Sequence, residues 1–323
     1  MSSTTMESSV LKKSSGLKVV FFGTPEFAAH ILEYLIANGE NIVAAVTIPD
    51  KPQGRGLKLR PSAVKLVALS HNIPVLEPTK LRDSDFIEAL AKLDADCFCV
   101  VAYRILPRDV YTLPKIGAFN IHASILPKYR GAAPINWAII RGETESGITT
   151  FLLEDKVDTG NVLLKESVPI RPNETAGELH DALMHLGAKL GHETLLGLSL
   201  GNLAPKKQLD TAATTAPKIF PADCIIDFSK PAIEVHNFIR GLSPHPGAIT
   251  TLHNGAKVKL LRSLVTLDID RTLAVGEYYV TPEGKRLLVG TGNGIVEILA
   301  LQREGKSAMK VAEFLRGGRA LFD

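Results

Sequence analysis

Between residues 17 and 121 short apolar stretches alternate with segments of helical periodicity, and this alternation restricts the fold more than any other feature of the chain. Leu17 to Phe22 reads as a buried strand ending at Gly23. Pro25 suits the first turn of a helix, along which Phe27, Ile31, Leu32 and Leu35 recur at helical spacing. Asn41 to Ile48 is a second strand. Pro61 opens a helix carrying Val64, Leu66 and Val67, and Ile73 to Leu76 is a short strand. Phe86 to Leu93 is helical, while Asp96 to Ala102 and Gly117 to Ile121 are strands. Helices between successive strands act as crossovers, so the expected fold is α/β, with a mostly parallel sheet covered on both faces. Functional groups in such sheets lie beyond the C-terminal ends of the strands.

The last strand of this run carries Asn120 and His122 at its end. Residues two apart on a strand point to the same face, so an amide and an imidazole share one small volume. Gly147 to Glu154 and Val162 to Ile170 are expected to pair and to flank a loop holding Asp158, which precedes Thr159 and Gly160. A donor for a developing oxyanion, a proton shuttle and a carboxylate that orients the shuttle are the minimum equipment for acyl transfer. Each has a plainer reading beside it. A lone histidine is more often structural, and an aspartate before Thr-Gly serves equally as a turn former. The Gly23-Thr24-Pro25 turn is no dinucleotide site: there is no G-x-G-x-x-G, and Pro25 removes a phosphate-binding amide.

Glu174 to Leu200 is a long helix with Leu179, Leu183, Leu186 and Leu190 at helical spacing. From Gly201 the texture changes to Gly, Pro, Thr and Lys with little periodicity. We therefore expect a disordered extension over residues 1–16, a catalytic domain over 17–204, a basic linker over 205–217 and a second domain over 218–323. That second domain offers a helix (Ala232 to Gly241) and short strands near 249–253, 256–261, 275–280, 286–290 and 294–299, a pattern that suits a small β-barrel.

Charge is informative in its distribution. From Lys206 onward there are 16 Lys and Arg against 12 Asp and Glu, whereas the rest of the chain has 21 against 22. Within Lys51 to Arg60 four cations, Lys51, Arg55, Lys58 and Arg60, accompany two glycines. One-sign charge on a Gly-rich loop suits phosphate contact, and a solvated loop is the plainer alternative. Cys97, Cys99 and Cys224 make no disulfide framework, and Cys97 and Cys99 read as small core residues of a strand. No stretch reaches the ~18 apolar residues of a membrane span. The N-terminal segment lacks both a signal peptide's apolar middle and a transit peptide's arginines. A reducing, cytoplasmic setting is expected. No ligand cluster for a metal is evident.

Taken together, these motifs resemble a known family. Asn120-x-His122-x-Ser124-Ile125-Leu126-Pro127, Arg130-Gly131-Ala132-Ala133-Pro134-Ile135 and Asp158-Thr159-Gly160 are similar to the formyltetrahydrofolate-dependent formyltransferases. The segments Phe22 to Ala28, Pro49 to Gly56, Ala216-Pro217-Lys218-Ile219, Phe238 to Pro244, Leu301 to Lys306 and Phe314 to Gly317 resemble the methionyl-tRNA branch of that family. The resemblance covers nearly everything from Lys18 to Gly317. It implies a Rossmann-like catalytic domain and an oligonucleotide-binding-like (OB-like) barrel. It also implies 10-formyltetrahydrofolate as formyl donor, without a metal, and initiator methionyl-tRNA as acceptor. Asn120, His122 and Asp158 occupy the catalytic positions, and Ser124, Ile125, Leu126 and Pro127 a stretch that lines the folate site. The Arg55 loop matches a segment that reaches the tRNA acceptor end. With it we expect Lys51, Lys58, Arg60, Lys206, Lys207 and Lys218 to contact tRNA, and the enzyme to act as a monomer off the membrane.

Two departures stand out: Arg104 follows Tyr103 where relatives carry glycine and a further residue, and His245 stands where an aromatic is expected. Three other readings remain. One is formylation of a sugar amine or purine precursor. Another is nucleic-acid binding by a chain with a vestigial catalytic domain. The third is a hydrolase that releases formate.

Overall fold

The computed structural model describes residues 14–53, 58–252, 254–266 and 271–322. In chain order it runs through β1 (Lys18–Gly23), α1 (Glu26–Ala37), β2 (Asn41–Val46), β3 (Lys51–Gln53), β4 (Lys58–Arg60), α2 (Ala63–Ser70), β5 (Val75–Leu76), α3 (Ser84–Lys92), β6 (Cys97–Val101), α4 (Arg108–Tyr111) and β7 (Gly117–His122). It continues with β8 (Arg130–Gly131), α5 (Pro134–Ile140), β9 (Glu145–Leu152), β10 (Val162–Pro169), α6 (Ala176–Leu200), β11 (Thr215–Ala216) and α7 (Ala232–Gly241). Last come β12 (Ala248–Thr251), β13 (Lys257–Thr266), β14 (Tyr278–Val280), β15 (Leu287–Gly290), β16 (Ile295–Arg303), β17 (Met309–Lys310) and α8 (Val311–Gly318). Two compact units share this chain. One holds Met1–His122, Ile148–Glu166 and Met184–Gln208; the other holds Ala123–Gly147, Ser167–Leu183 and Leu209–Asp323.

A seven-stranded sheet, ordered β10-β9-β7-β6-β1-β2-β5, organises the first unit. β1 lies between β2 and β6, parallel to both, and β6 pairs parallel with β7. Its central strands are apolar on both faces because both are covered: Val19, Val20, Phe21 and Phe22 are fully buried, as are residues throughout β6. One face packs Val20, Phe22, Phe98 and Val100 against Phe86 and Leu90 of α3. On the other, Gly187 and Gly191 let α6 lie close over Ile31 and Ile121. Cys97 and Cys99 are buried and unbridged, as core thiols, and burial pushes both thiols upward in pKa. The chain leaves β1 towards β2 and β5, then returns to β6 and β7 on the opposite side. That reversal is the topological switch at which α/β sheets place their sites.

Two elements differ from expectation. Residues 50–60, expected as a loop, contain the antiparallel ribbon β3–β4, with Lys51 opposite Arg60 and Pro52 opposite Leu59. Of the extension expected over residues 1–16, residues 1–13 lie outside the described residues. Ser15 is tied down, its backbone N–H donating to Glu40 Oε1 at 3.1 Å. The carboxylate that receives it is itself buried, and His192 Nδ1 lies 2.9 Å away.

The second unit is built on a six-stranded sheet with order β12-β13-β16-β15-β14, β17 pairing with β16. Its pairings are antiparallel. The sheet curls far enough for Thr250 of β12 and Tyr278 of β14 to meet through their hydroxyls at 2.8 Å. Side chains thus join its two edge strands as in a partly open barrel. Val258, Leu260, Val289, Val296 and Ile298 fill its interior, capped by Val235 and Ile239 of α7 and Phe314 of α8. Against α7 packs α5, close enough for Asn136 Nδ2 to donate to Gly241 O at 2.8 Å. His245, where an aromatic is expected, is exposed, so no core packing rests on its side chain.

Candidate active site

β7 delivers Asn120 and His122 to the C-terminal edge of the parallel sheet. Asn120 pairs with Val100 on β6 and with Phe151 on β9, and His122 pairs with Thr149. Both project from the same side of the strand, as their two-residue spacing requires. His122 is buried, at 6% exposure. Phe151 presents its ring edge-on to the imidazole, with centroids 6.4 Å apart. Asn120 is half-buried, and among the described residues no hydrogen bond engages its carboxamide. A strand-end amide donor is therefore left over by the fold for a ligand.

Asp158 reaches this pair from the loop between β9 and β10, with Oδ2 3.8 Å from His122 Nδ1 and only 13% of its side chain exposed. This is ion-pair range rather than hydrogen-bond range. The loop is tightly determined. Asp158 has φ 55°, a left-handed backbone that aspartate tolerates better than most residues. At Gly160 an added Cβ would fall 1.7 Å from Leu152 O, so the main chain passes where no side chain fits.

Gln208 completes the loop's support. Buried at 6% exposure, it donates from Nε2 to Asp158 O at 3.0 Å and to Gly160 O at 2.8 Å. The main chain brings it there through Lys206, whose N–H and C=O both bond Val162 at 2.8 Å. Sequence reasoning missed Gln208. Its only signal was a lone amide-bearing residue in a segment expected to be linker.

The remaining expected residues are placed as follows. Ser124, buried, spends its hydroxyl on Lys128 O at 2.7 Å, and Leu126 is also buried, in the turn that follows β7. In the first unit Lys51, Arg60, Lys206 and Lys207 are exposed; Lys218 is exposed in the second. Arg55 lies outside the described residues, as does the Lys58 side chain, although Lys58 belongs to β4.

Arg104 is accommodated by turning onto its neighbours. Its guanidinium donates to Thr79 O at 3.0 Å, Pro78 O at 2.7 Å and the Tyr103 hydroxyl at 2.8 Å, and it lies 5.2 Å from the Tyr103 ring centroid. Tyr103 in turn donates to Thr47 O at 3.3 Å. The segments that leave β2, β5 and β6 at the sheet's C-terminal edge are thereby tied together. Among the described residues no group of three or more His, Cys, Asp and Glu is arranged to hold a metal. No described helix is long and apolar enough to cross a membrane.

Residues 17–195 match the formyl transferase family model, and residues 218–319 match the model of the formyl transferase C-terminal domain. An α/β sheet with this strand-end pair, joined to an antiparallel second unit, is thus that of a one-carbon group transferase: the chain belongs to the formyl transferase family. Its relatives narrow the family further. A methionyl-tRNA formyltransferase of Bacteroides fragilis is 45% identical over 314 residues, covering 94% of this chain and 96% of its own. One of Geobacter sulfurreducens is 45% identical over 309 residues, covering 94% and 95%. Among solved structures, an N-formyltransferase from Helicobacter canadensis in complex with folinic acid and dTDP-3-aminofucose superposes with a TM-score of 0.66 at 21% identity, covering 87% of this chain and 98% of that one. HypX from Aquifex aeolicus in complex with tetrahydrofolic acid gives 0.64 at 16% identity, covering 94% and 48%. At those identities the two structures speak for the fold.

Proposed function

We infer that the protein transfers the formyl group of 10-formyltetrahydrofolate to the α-amino group of methionine esterified to initiator tRNA, giving N-formylmethionyl-tRNA. One observation carries the reading: Asn120, His122 and Asp158 meet at the end of β7 in a chain 45% identical, over 314 residues, to a methionyl-tRNA formyltransferase. An unperturbed α-amino group titrates near pH ~7.7–8, so the acceptor needs little help to become neutral. Once it attacks the formyl carbon, the nitrogen is positive and the former carbonyl oxygen negative. Asn120 donates to that oxygen, and His122 contributes. His122 carries the proton from the attacking nitrogen towards the departing N10, and Asp158 holds the imidazole in the orientation for both tasks. One C–N bond forms, one breaks and one proton changes nitrogen, so no redox partner enters.

Ser124, Ile125, Leu126 and Pro127 are read as lining the donor's site. Lys51, Arg55, Lys58, Arg60, Lys206, Lys207 and Lys218 are read as contacts to tRNA phosphates. The protein is taken to act as a monomer in the cytoplasm, a setting that suits three buried, unbridged cysteines.

The test is transfer of labelled formyl from 10-formyltetrahydrofolate to initiator methionyl-tRNA, with elongator methionyl-tRNA and no tRNA in parallel. Label on the initiator alone is expected. Formate release without labelled tRNA would replace the reading with a hydrolase.

A further inference from the structure

Phe220 is the only exposed aromatic among the described residues, at 55% exposure in a chain with 6% aromatics. Single exposed apolar residues are ordinary on protein surfaces. This one, however, sits in a cationic setting. Lys218 Nζ lies 5.4 Å from the centroid of its ring. The Phe220 backbone N–H donates to Asp223 Oδ2 at 2.8 Å, which fixes the start of the turn carrying the ring. The ring is therefore presented to solvent by a held backbone.

The same segment continues into a second aromatic–cation group in the same unit. Trp137 Nε1 donates to Pro217 O at 2.8 Å, placing the half-exposed indole beside the residue that precedes Lys218. The Arg141 guanidinium stands 5.4 Å from the Trp137 ring and 5.2 Å from that of Tyr129. Parallel pairing of Thr215 and Ala216 with Arg130 and Gly131 holds this ribbon in place. Among the described residues no salt bridge engages Lys218 or Arg141, while Arg141 also hydrogen-bonds Tyr129, whose hydroxyl donates to Glu143 Oε1 at 2.7 Å. Asp223 is committed to the Phe220 amide.

Flat π-faces interleaved with cations that no salt bridge engages match single-stranded nucleic acid, whose bases stack while its phosphates meet the charges. Building on the RNA acceptor read above, we propose that Phe220, with Lys218, Trp137 and Arg141 along the same segment, forms a stacking platform for an unpaired base of the tRNA. The contribution is distinct from the phosphate contacts already considered, because stacking does not depend on salt in the way phosphate neutralisation does.

Phe220→Leu keeps an apolar side chain and removes the π-face, at an exposed position that does not threaten folding. It is expected to raise KM for methionyl-tRNA about tenfold, the scale of one stacked base. The turnover number and KM for the formyl donor should stay unchanged, and Phe220→Tyr should restore the wild-type value. The slope of log KM against log salt should match wild type in Phe220→Leu, whereas Lys218→Gln should lower it by about one. A wild-type KM for methionyl-tRNA in Phe220→Leu overturns the platform while leaving the formyltransferase reading intact. Equal losses towards both substrates overturn it too, by making the residue structural. If the wild-type protein labels no tRNA at all, the acceptor reading falls and the platform with it.

Discussion

At the scale of single residues, the site depends on one amide that the fold leaves over and one loop that it over-determines. Asn120 is half-buried with no hydrogen bond to its carboxamide among the described residues, so its removal costs the fold little. Asn120→Ala should reduce turnover about a hundredfold or more, the loss typical of one oxyanion donor. Its thermal midpoint should stay near wild type, and steady-state kinetics beside a melting curve check both halves. Gly160 is the opposite case. A methyl group there would collide with Leu152 O, so Gly160→Ala must displace the loop holding Asp158. We expect a loss of more than about 2 kcal/mol in denaturant unfolding together with a fall in turnover. The placement of Asn120 and His122 was legible in the sequence because it is local: two residues apart on a strand must share a face. Gln208 was not, since it acts on carbonyls 50 and 48 residues away and its neighbours in sequence say nothing of them.

Among the elements, helix ends and buried side chains in the second unit make the sharpest predictions. Thr175 caps α6: its backbone N–H donates to Glu178 Oε2 at 2.9 Å, and Glu178 N–H donates back to Thr175 Oγ1 at 3.3 Å. Thr175→Ala should cost about 1 kcal/mol of stability, read by chemical denaturation. On α7, His236 lies within hydrogen-bond range of Pro172 O through Nε2 at 3.2 Å and of Ser263 Oγ through Nδ1 at 3.0 Å. A carbonyl only accepts, so the network assigns the proton of a neutral ring to Nε2. Burial holds its pKa below the ordinary 6.5, with the Arg240 charge adding to the effect. The unfolded chain therefore takes up this proton before the folded one does. The stability tied to the neutral ring is complete above about pH 6.5 and is lost as the pH falls below it. Melting curves from pH 7.5 to 5 should show a steeper loss in wild type than in His236→Asn. The strand–helix alternation was legible because periodicity reports which face is buried. The β3–β4 ribbon was not, because its pairing of Lys51 with Arg60 leaves no apolar pattern behind.

For the whole molecule, net charge is a poor guide and its placement a better one. The chain carries only +3, yet its cations gather in Lys51 to Arg60 and in the C-terminal third. Affinity for methionyl-tRNA should fall linearly on a plot of log affinity against log salt, with a slope counting the phosphates engaged. Nitrocellulose filter binding from 50 to 300 mM salt would measure it, and a flat line would refute phosphate-dominated binding. The sequence by itself determined the α/β class, the strand-rich second half, the shared face of Asn120 and His122 and the family, because these rest on local periodicity and short motifs. Only the tertiary structure decided that Lys206 and Gln208 return to brace the Asp158 loop, that Thr250 meets Tyr278 across the curled sheet, and that Phe220 is the most exposed of the described aromatics. Each of these depends on groups far apart in the chain, and no local pattern can announce a contact whose partner is chosen by the fold.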